Sequence, residues 1–208
     1  MKCRVITIAR SLGAGCEEIG HLVAKELGFR YVDDEIITRA AEKAGVSPET
    51  VAQVERTEPL IMRILESMAR YSVEPMAGPV ALMASDPSLV SPAYEKLIEQ
   101  VVRETAAEGN VVIVAHGAAM HLAGTEGLLR AFVTASPGVR AERLAREAKL
   151  DEQRARKAIQ DSDRQRHQYL RRFCDVGQES PTHYDLVANT DLLTARQAAQ
   201  AIVSASRQ

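Results

Sequence analysis

The sequence predicts an α/β fold with a parallel sheet covered on both faces, and three observations lead there. Apolar β-branched runs such as "RVITIA" (4–9) and "NVVIVA" (110–115) lack the alternation of a half-exposed strand, so both faces of each are buried. Between such runs lie stretches of helical periodicity, several closed by glycine. The two kinds of segment alternate along the chain, the order that builds βαβ units. At 208 residues the chain suits a single domain, taken as 1–208.

"RVITIA" is the first strand. Ile19, Leu22, Val23 and Leu27 then recur at helical spacing, and Gly28 supplies the stop. "FRYVDDE" is a second strand ending in acids, and "IITRAAEKAG" a helix closed by Gly45. From Ser47 to Ser91 the character changes. Ser47-Pro48 pairs an N-cap with proline at the first helical position. Ile61, Ile64, Leu65 and Met68 mark a short amphipathic helix, and a weakly patterned stretch rich in proline and glycine follows. This segment, 47–91, reads as an insert on the main sheet, too short for a domain of its own. Ser91-Pro92 opens a helix through Leu97, Ile98, Val101 and Val102 that Gly109 stops. "NVVIVA", "RAFVTA" and "DLVANT" are strands three to five. Between the last two, Pro137 to Phe173 is helical and rich in arginine. Thr194 caps a final helix through Ala198, Ala201 and Ile202.

Composition narrows the setting. A formal net charge of −2 gives no global pull toward nucleic acid or membrane. No apolar run approaches the roughly 20 residues that span a bilayer. Cys3, Cys16 and Cys174 are few and odd in number, which argues against a disulfide framework and for a reducing, cytoplasmic setting.

The chemistry concentrates in "ARSLGAGCEEIG" (9–20), placed where strand one hands over to helix one. A phosphate-binding loop belongs there, because its backbone N–H groups and the following helix N-terminus cradle phosphate. Gly13 and Gly15 suit such a loop. Against the pattern G-x-x-x-x-G-K-[ST], however, Arg10 stands at the first glycine, Cys16 at the lysine, and Glu17 and Glu18 where hydroxyls are expected. A dinucleotide fingerprint, G-x-G-x-x-G, fails as well, since Glu18 occupies its third glycine. The same residues also read as an ordinary turn, with glutamates stabilised by the helix dipole. The loop taken alone leaves both readings open.

The whole order of segments resembles the cytidylate kinase-like family, a branch of the P-loop nucleoside monophosphate kinases, and within it the branch without the Walker lysine. "ITIARSLGAGCEEIGHLVAKELGFRYVDDEII" is similar to that family's opening, "EGNVVIVAHGAAMHL" to its third-strand segment, and "DSDRQRHQYLRRF" with "SPTHYDLVANTDLLTARQAA" to its closing signature. The resemblance implies a P-loop kinase-like five-stranded parallel sheet, a helical insert of the kind that binds a nucleoside monophosphate, and an arginine-rich lid. It places the lid at 137–173, where eleven lysines and arginines face six acids.

Phosphoryl transfer rests on positioning and on neutralising an anionic transition state. The resemblance therefore assigns Arg164 or Arg166 to catalysis. Their spacing of two sends them in different directions on a helix, so at most one faces phosphate, and a solvated face paired with Asp161 and Asp163 is the competing reading. Arg10, Ser11, Gly13, Ala14, Gly15, Cys16, Glu17 and Glu18 would hold the nucleotide, with Arg10 a surrogate cation. Asp33 and Asp34 would hold the acceptor or a metal, although either could equally cap the next helix. Arg39 could meet an acceptor phosphate. His116, where relatives carry arginine, would sit near the acceptor with Gly117 beside it; a histidine satisfied by backbone at the core edge fits too. No histidine–cysteine spacing makes a zinc site; the resemblance implies ATP with Mg²⁺ carried by the nucleotide. The functions that remain are transfer from ATP to a nucleoside monophosphate or similar small acceptor, a catalytically weak or inactive nucleotide-binding protein of the same fold, and, behind these, an interaction or nucleic-acid-binding module using the arginine-rich helices, with nucleic acid disfavoured by the low aromatic content. A homo-oligomer is compatible with each, a membrane with none.

Overall fold

The computed structural model describes residues 3–55 and 87–207. The predicted helix around Ile61–Met68 and most of the 47–91 insert lie outside the described residues. The elements are β1 (Val5–Arg10), α1 (Cys16–Leu27), β2 (Arg30–Val32), α2 (Glu35–Ala44), α3 (Pro48–Glu55), α4 (Pro87–Glu108), β3 (Val111–Val114), α5 (Ala118–His121), β4 (Leu128–Thr134), α6 (Pro137–Ala148), α7 (Glu152–Phe173), a 3-10 turn (Pro181–His183), β5 (Leu186–Asn189) and α8 (Ala195–Ser206). The five strands form one sheet in the order β2-β3-β1-β4-β5, every pair parallel.

Both faces of the sheet are buried, as the unbroken apolar runs require. Ile6 and Ile8 of β1 join Val112 and Val114 of β3 in a core with Ile19 and Val23 of α1 and Ile202 and Val203 of α8. The alternate residues Val5, Val111 and Ile113 face the other way, packing with Ile36, Ile98, Val101 and Val102 from α2 and α4. Period two along each strand thus feeds two cores rather than one core and solvent.

Element boundaries follow local chemistry. Gly28 and Gly45 end α1 and α2 in the left-handed region. Thr194 caps α8, its hydroxyl accepting from the N–H of Gln197 while Gln197 reaches back to the Thr194 N–H. β2 is shorter than expected, and Asp33 and Asp34 lie beyond its end. α4 starts at Pro87, a turn before Ser91, because Pro87 suits a first helical position as well as Pro92 does. The arginine-rich stretch is two helices: Lys149, at φ +53, ends α6, and Asp151 caps α7 by accepting from the Arg154 N–H. These two helices form a hairpin over the β1–α1 loop, and Leu12 of that loop packs into their small apolar core of Ala141, Leu144, Ala155, Ala158 and Ile159.

Candidate active site at the carboxyl ends of the strands

In an open α/β sheet ligands bind outside the carboxyl ends of the strands. Here Ser11–Gly15 fills that position between β1 and α1. A tight turn shapes it: the Ala14 N–H donates to Ser11 O at 3.0 Å and the Ser11 N–H to Val133 O at 3.2 Å. Gly13 and Gly15 adopt φ +77 and +82, where a side chain would be strained. Gly13 has a second constraint, because a Cβ there would lie 2.7 Å from Arg140 O. Gly15 is the N-cap of α1 and offers no side-chain cap. The first-turn N–H groups of α1 therefore lack intrahelical partners, and the positive end of the helix faces the crevice. Ala14 and Cys16 are buried. The Cys16 sulfur lies 3.7 Å from Val133 O and 3.8 Å from Ser11 O, and burial, aided by the charge of Glu17, pushes its thiol up to about 12. Only backbone is left at these two positions to meet a ligand.

Arg10, the last residue of β1, is held between two carboxylates: Glu17 Oε1 at 2.8 Å and Asp33 Oδ2 at 3.6 Å. His116 Nε2 lies 2.9 Å from the Asp33 main-chain oxygen and 3.2 Å from its Oδ1, while the Tyr31 hydroxyl donates to Oδ2 at 3.3 Å. Burial raises the Asp33 carboxyl, but the His116 hydrogen bond, the Arg10 charge and Tyr31 outweigh it and hold the group below the usual carboxylate range. Asp34 is exposed and stands at the N-cap position of α2 without a side-chain cap bond.

His116 sits on strained backbone. Ala115, His116 and Gly117 follow one another at φ +65, +55 and +61, and the first two are left-handed without being glycine, which costs roughly 1–2 kcal/mol each. Behind this turn, a Cβ on Gly117 would come within 2.9 Å of His121 Nε2 and 3.0 Å of the Tyr169 ring. His121 and Tyr169 converge on buried Glu95: the Tyr169 hydroxyl donates to Oε1 at 2.6 Å, and His121 Nε2 is 3.0 Å from it. Sequence reading passed over this cluster, since three elements bring its members together.

The two arginines assigned to catalysis separate as their spacing requires. Arg164 is exposed and paired with Asp161 at 2.5 Å. Arg166 points inward. Its guanidinium donates to Glu179 at 3.0 and 2.6 Å and to the Tyr184 hydroxyl at 3.0 Å, and lies 5.4 Å over the Phe132 ring. Phe132 is the strand partner of Ala9, next to Arg10. Arg166 thus overhangs the loop end of the sheet, and its charge reaches Cys16. Tyr184 also donates to Glu179. Burial raises the Glu179 carboxyl, yet Arg166 and Tyr184 keep it below its ordinary value. Two further arginines, unremarkable among the eleven cations, touch the loop's surroundings. Arg140 is buried, binds Asp163 at 2.8 and 2.5 Å and donates to Leu12 O at 3.4 Å. Arg143 binds Thr190.

A left-handed, glycine-turned loop at the end of β1 in a β2-β3-β1-β4-β5 sheet agrees with what sequence comparison finds: the profile of the cytidylate kinase-like family matches residues 5–192. The chain belongs to that family. Its fold is shared by an uncharacterized protein from Eubacterium ventriosum (TM-score 0.68, 14% identity, 98% of each chain covered). It is also similar to the shikimate kinase of Acinetobacter baumannii, solved with shikimate (TM-score 0.52, 14% identity, 98% of this chain and 92% of that one), and to that of Bacteroides thetaiotaomicron (TM-score 0.51, 16% identity, 99% and 96%). No curated protein matches the sequence.

For a cytidylate kinase-like chain, one assignment sits apart from the rest. Arg39 turns toward α4, where it meets Thr105 at 3.0 Å, Glu108 at 3.5 Å and Glu104 at 3.6 Å. Its place one turn into α2 puts it on the helix face that packs on α4, so it does not join the loop. On α7, the exposed Arg154, Arg156 and Arg164 each pair with an acid three or four residues away. Among the described residues no group of three metal-ligating side chains converges, and no helix is long and apolar enough to cross a membrane.

Proposed function

We propose that the crevice binds a nucleoside triphosphate and that the chain transfers its terminal phosphoryl group to a small acceptor, a nucleoside monophosphate or a compound with a comparably placed acceptor oxygen. The observation that carries this reading is the loop: left-handed Gly13 and Gly15 at the head of α1, with Arg10 on one side and Arg166 on the other. Backbone amides and a helix N-terminus recognise phosphate without a lysine. The loop's donor set fits an anion, since the Ala14 and Cys16 side chains are buried and Gly15 leaves the first-turn N–H groups of α1 without a side-chain cap. Arg10 and the amides of Gly13, Gly15, Cys16, Glu17 and Glu18 would hold the phosphates. Mg²⁺, carried by the nucleotide, supplies charge neutralisation on the phosphate oxygens. Asp33, with His116 against it, stands at the end of β2 where an acceptor hydroxyl or phosphate would be oriented, with Asp34 and Gly117 beside it. Arg166, freed from Glu179, would neutralise the transferring group.

A second reading has its own observation. Arg10 is paired with Glu17 and Asp33, and Arg166 with Glu179; neither cation is uncommitted in the structure. A protein of this fold that binds nucleotide without turning it over would keep these pairs.

Coupled detection of ADP release decides between the two, using Mg-ATP with each nucleoside monophosphate and with shikimate. The kinase reading expects release that depends on one acceptor and falls at least tenfold in Arg10→Met and Arg166→Met. Calorimetric binding of Mg-ATP with no acceptor-dependent release selects the second reading. No binding of Mg-ATP or Mg-ADP at millimolar concentration overturns both.

A further inference from the structure

The loop is gripped from behind by its carbonyls. In a trans peptide the C=O and the following N–H point in opposite directions. Two loop carbonyls have side-chain partners on one side. Leu12 O accepts from Arg140 Nη1 at 3.4 Å, and Ala14 O accepts from Thr190 Oγ1 at 3.0 Å. The peptides concerned are Leu12–Gly13 and Ala14–Gly15, so the two grips aim the N–H groups of the two left-handed glycines away from α6 and β5. Each grip is itself anchored. Asp163 of α7 fixes Arg140 through both terminal guanidinium nitrogens, Nη1 and Nη2, and Arg143 fixes Thr190, donating to its Oγ1 at 2.9 Å and to its carbonyl at 2.5 Å. Leu12 adds an apolar anchor in the α6–α7 hairpin. Arg140 and Arg143 lie three apart on α6, one face of a single helix.

We propose that Thr190 and Arg140 are positioning residues that hold the Gly13 and Gly15 amides in an anion-binding array, and that the Arg140–Asp163 pair couples this array to α7. The proposal rests on the phosphate-binding reading of the loop. It also explains how that loop can work with Cys16 in place of lysine: the positive field comes from amides fixed by a brace distant in sequence. Because α7 carries both Asp163 and Arg166, a shift of α7 on ligand closure would alter the loop in the same event, and coupling of this kind is typically worth about 5–150-fold in affinity.

The test uses the full chain with Thr190→Val, Thr190→Ser and Asp163→Asn, titrated calorimetrically with Mg-ADP and with inorganic tripolyphosphate. Amide exchange is followed at Ala14, whose N–H bonds Ser11 O, and at β1 and β3. Thr190→Val and Asp163→Asn are expected to weaken both ligands by about fivefold or more and to speed exchange at Ala14 but not in the strands, with Thr190→Ser close to wild type. Unchanged affinity and unchanged Ala14 exchange in both variants overturn the brace. Faster exchange spread evenly through the strands also overturns it, because that is general destabilisation. If wild-type protein takes up neither ligand, the phosphate reading fails, and the Ala14 arm alone decides whether the brace exists.

Discussion

The two rims of the crevice are built by different means. On the β1–α1 rim the groups presented are backbone: left-handed glycines, a helix N-terminus and carbonyls held from behind, with the side chains of Ala14 and Cys16 turned into the core. On the β2–β3 rim they are side chains: Asp33 with Arg10, Tyr31 and His116, and behind Gly117 the Glu95–His121–Tyr169 cluster. A backbone site of the kind proposed would ask little of residue identity apart from glycine. A side-chain site changes chemistry with each substitution.

That contrast breaks most readily at Gly13. Gly13→Ala and Gly15→Ala both incur left-handed strain of about 1–3 kcal/mol, but only Gly13 also meets Arg140 O at 2.7 Å. Urea unfolding should therefore show a clearly larger loss for Gly13→Ala; equal losses would mean that the close approach to α6 is unimportant. Next in size is Arg166→Met, which strands a half-buried Glu179 and should cost about 1.5–3 kcal/mol. The Glu179 carboxyl is depressed in the fold, so its stabilisation is complete above the unfolded value near about 4.3 and disappears as pH falls through the lower folded value. Wild type should lose stability toward acid more steeply than Arg166→Met, and parallel pH curves would remove Glu179 from the account. The smallest effect is a gain. Ala115→Gly relieves a left-handed alanine and should raise stability by about 0.5–1 kcal/mol, what remains after the entropic cost of glycine. A loss there would mean that the strain at the His116 turn is held by packing on the alanine methyl.

The sheet was legible because buried parallel strands have a distinctive composition, and Gly28, Gly45 and Thr194 mark helix ends through local chemistry that a sequence displays directly. The loop's place was legible for the same reason. Its supports were not. Arg140 is one of eleven cations in its segment, and only the crossing of α6 behind Gly13 distinguishes it; the nearest signal was Pro137, which fixes the helix start and so the first-turn position of Arg140. Arg39 was placed on the correct helix, but which face meets α4 is a tertiary fact. The break at Lys149 carries no proline or glycine to announce it, since a lysine adopts the left-handed position. Glu95, His121 and Tyr169 come from three separate elements, and no spacing relates them.

The central position of β1 has a consequence for how the chain comes to be folded at all. β1 precedes the other four strands in the sequence, yet its neighbours in the sheet are β3 and β4: Val5 pairs with Val111 on one side and Leu128 on the other. A strand of almost unbroken apolar residues must therefore wait for partners synthesised about a hundred residues later, which at ribosomal rates is on the order of 5–20 s. In that interval "VITIA" is an unpaired β-prone segment of the kind that aggregates. Arg4 and Arg10 flank it, and charges at such positions disfavour strand-to-strand aggregation. The charge of Arg10 would therefore matter to the unpaired strand as well as to its folded partners Glu17 and Asp33.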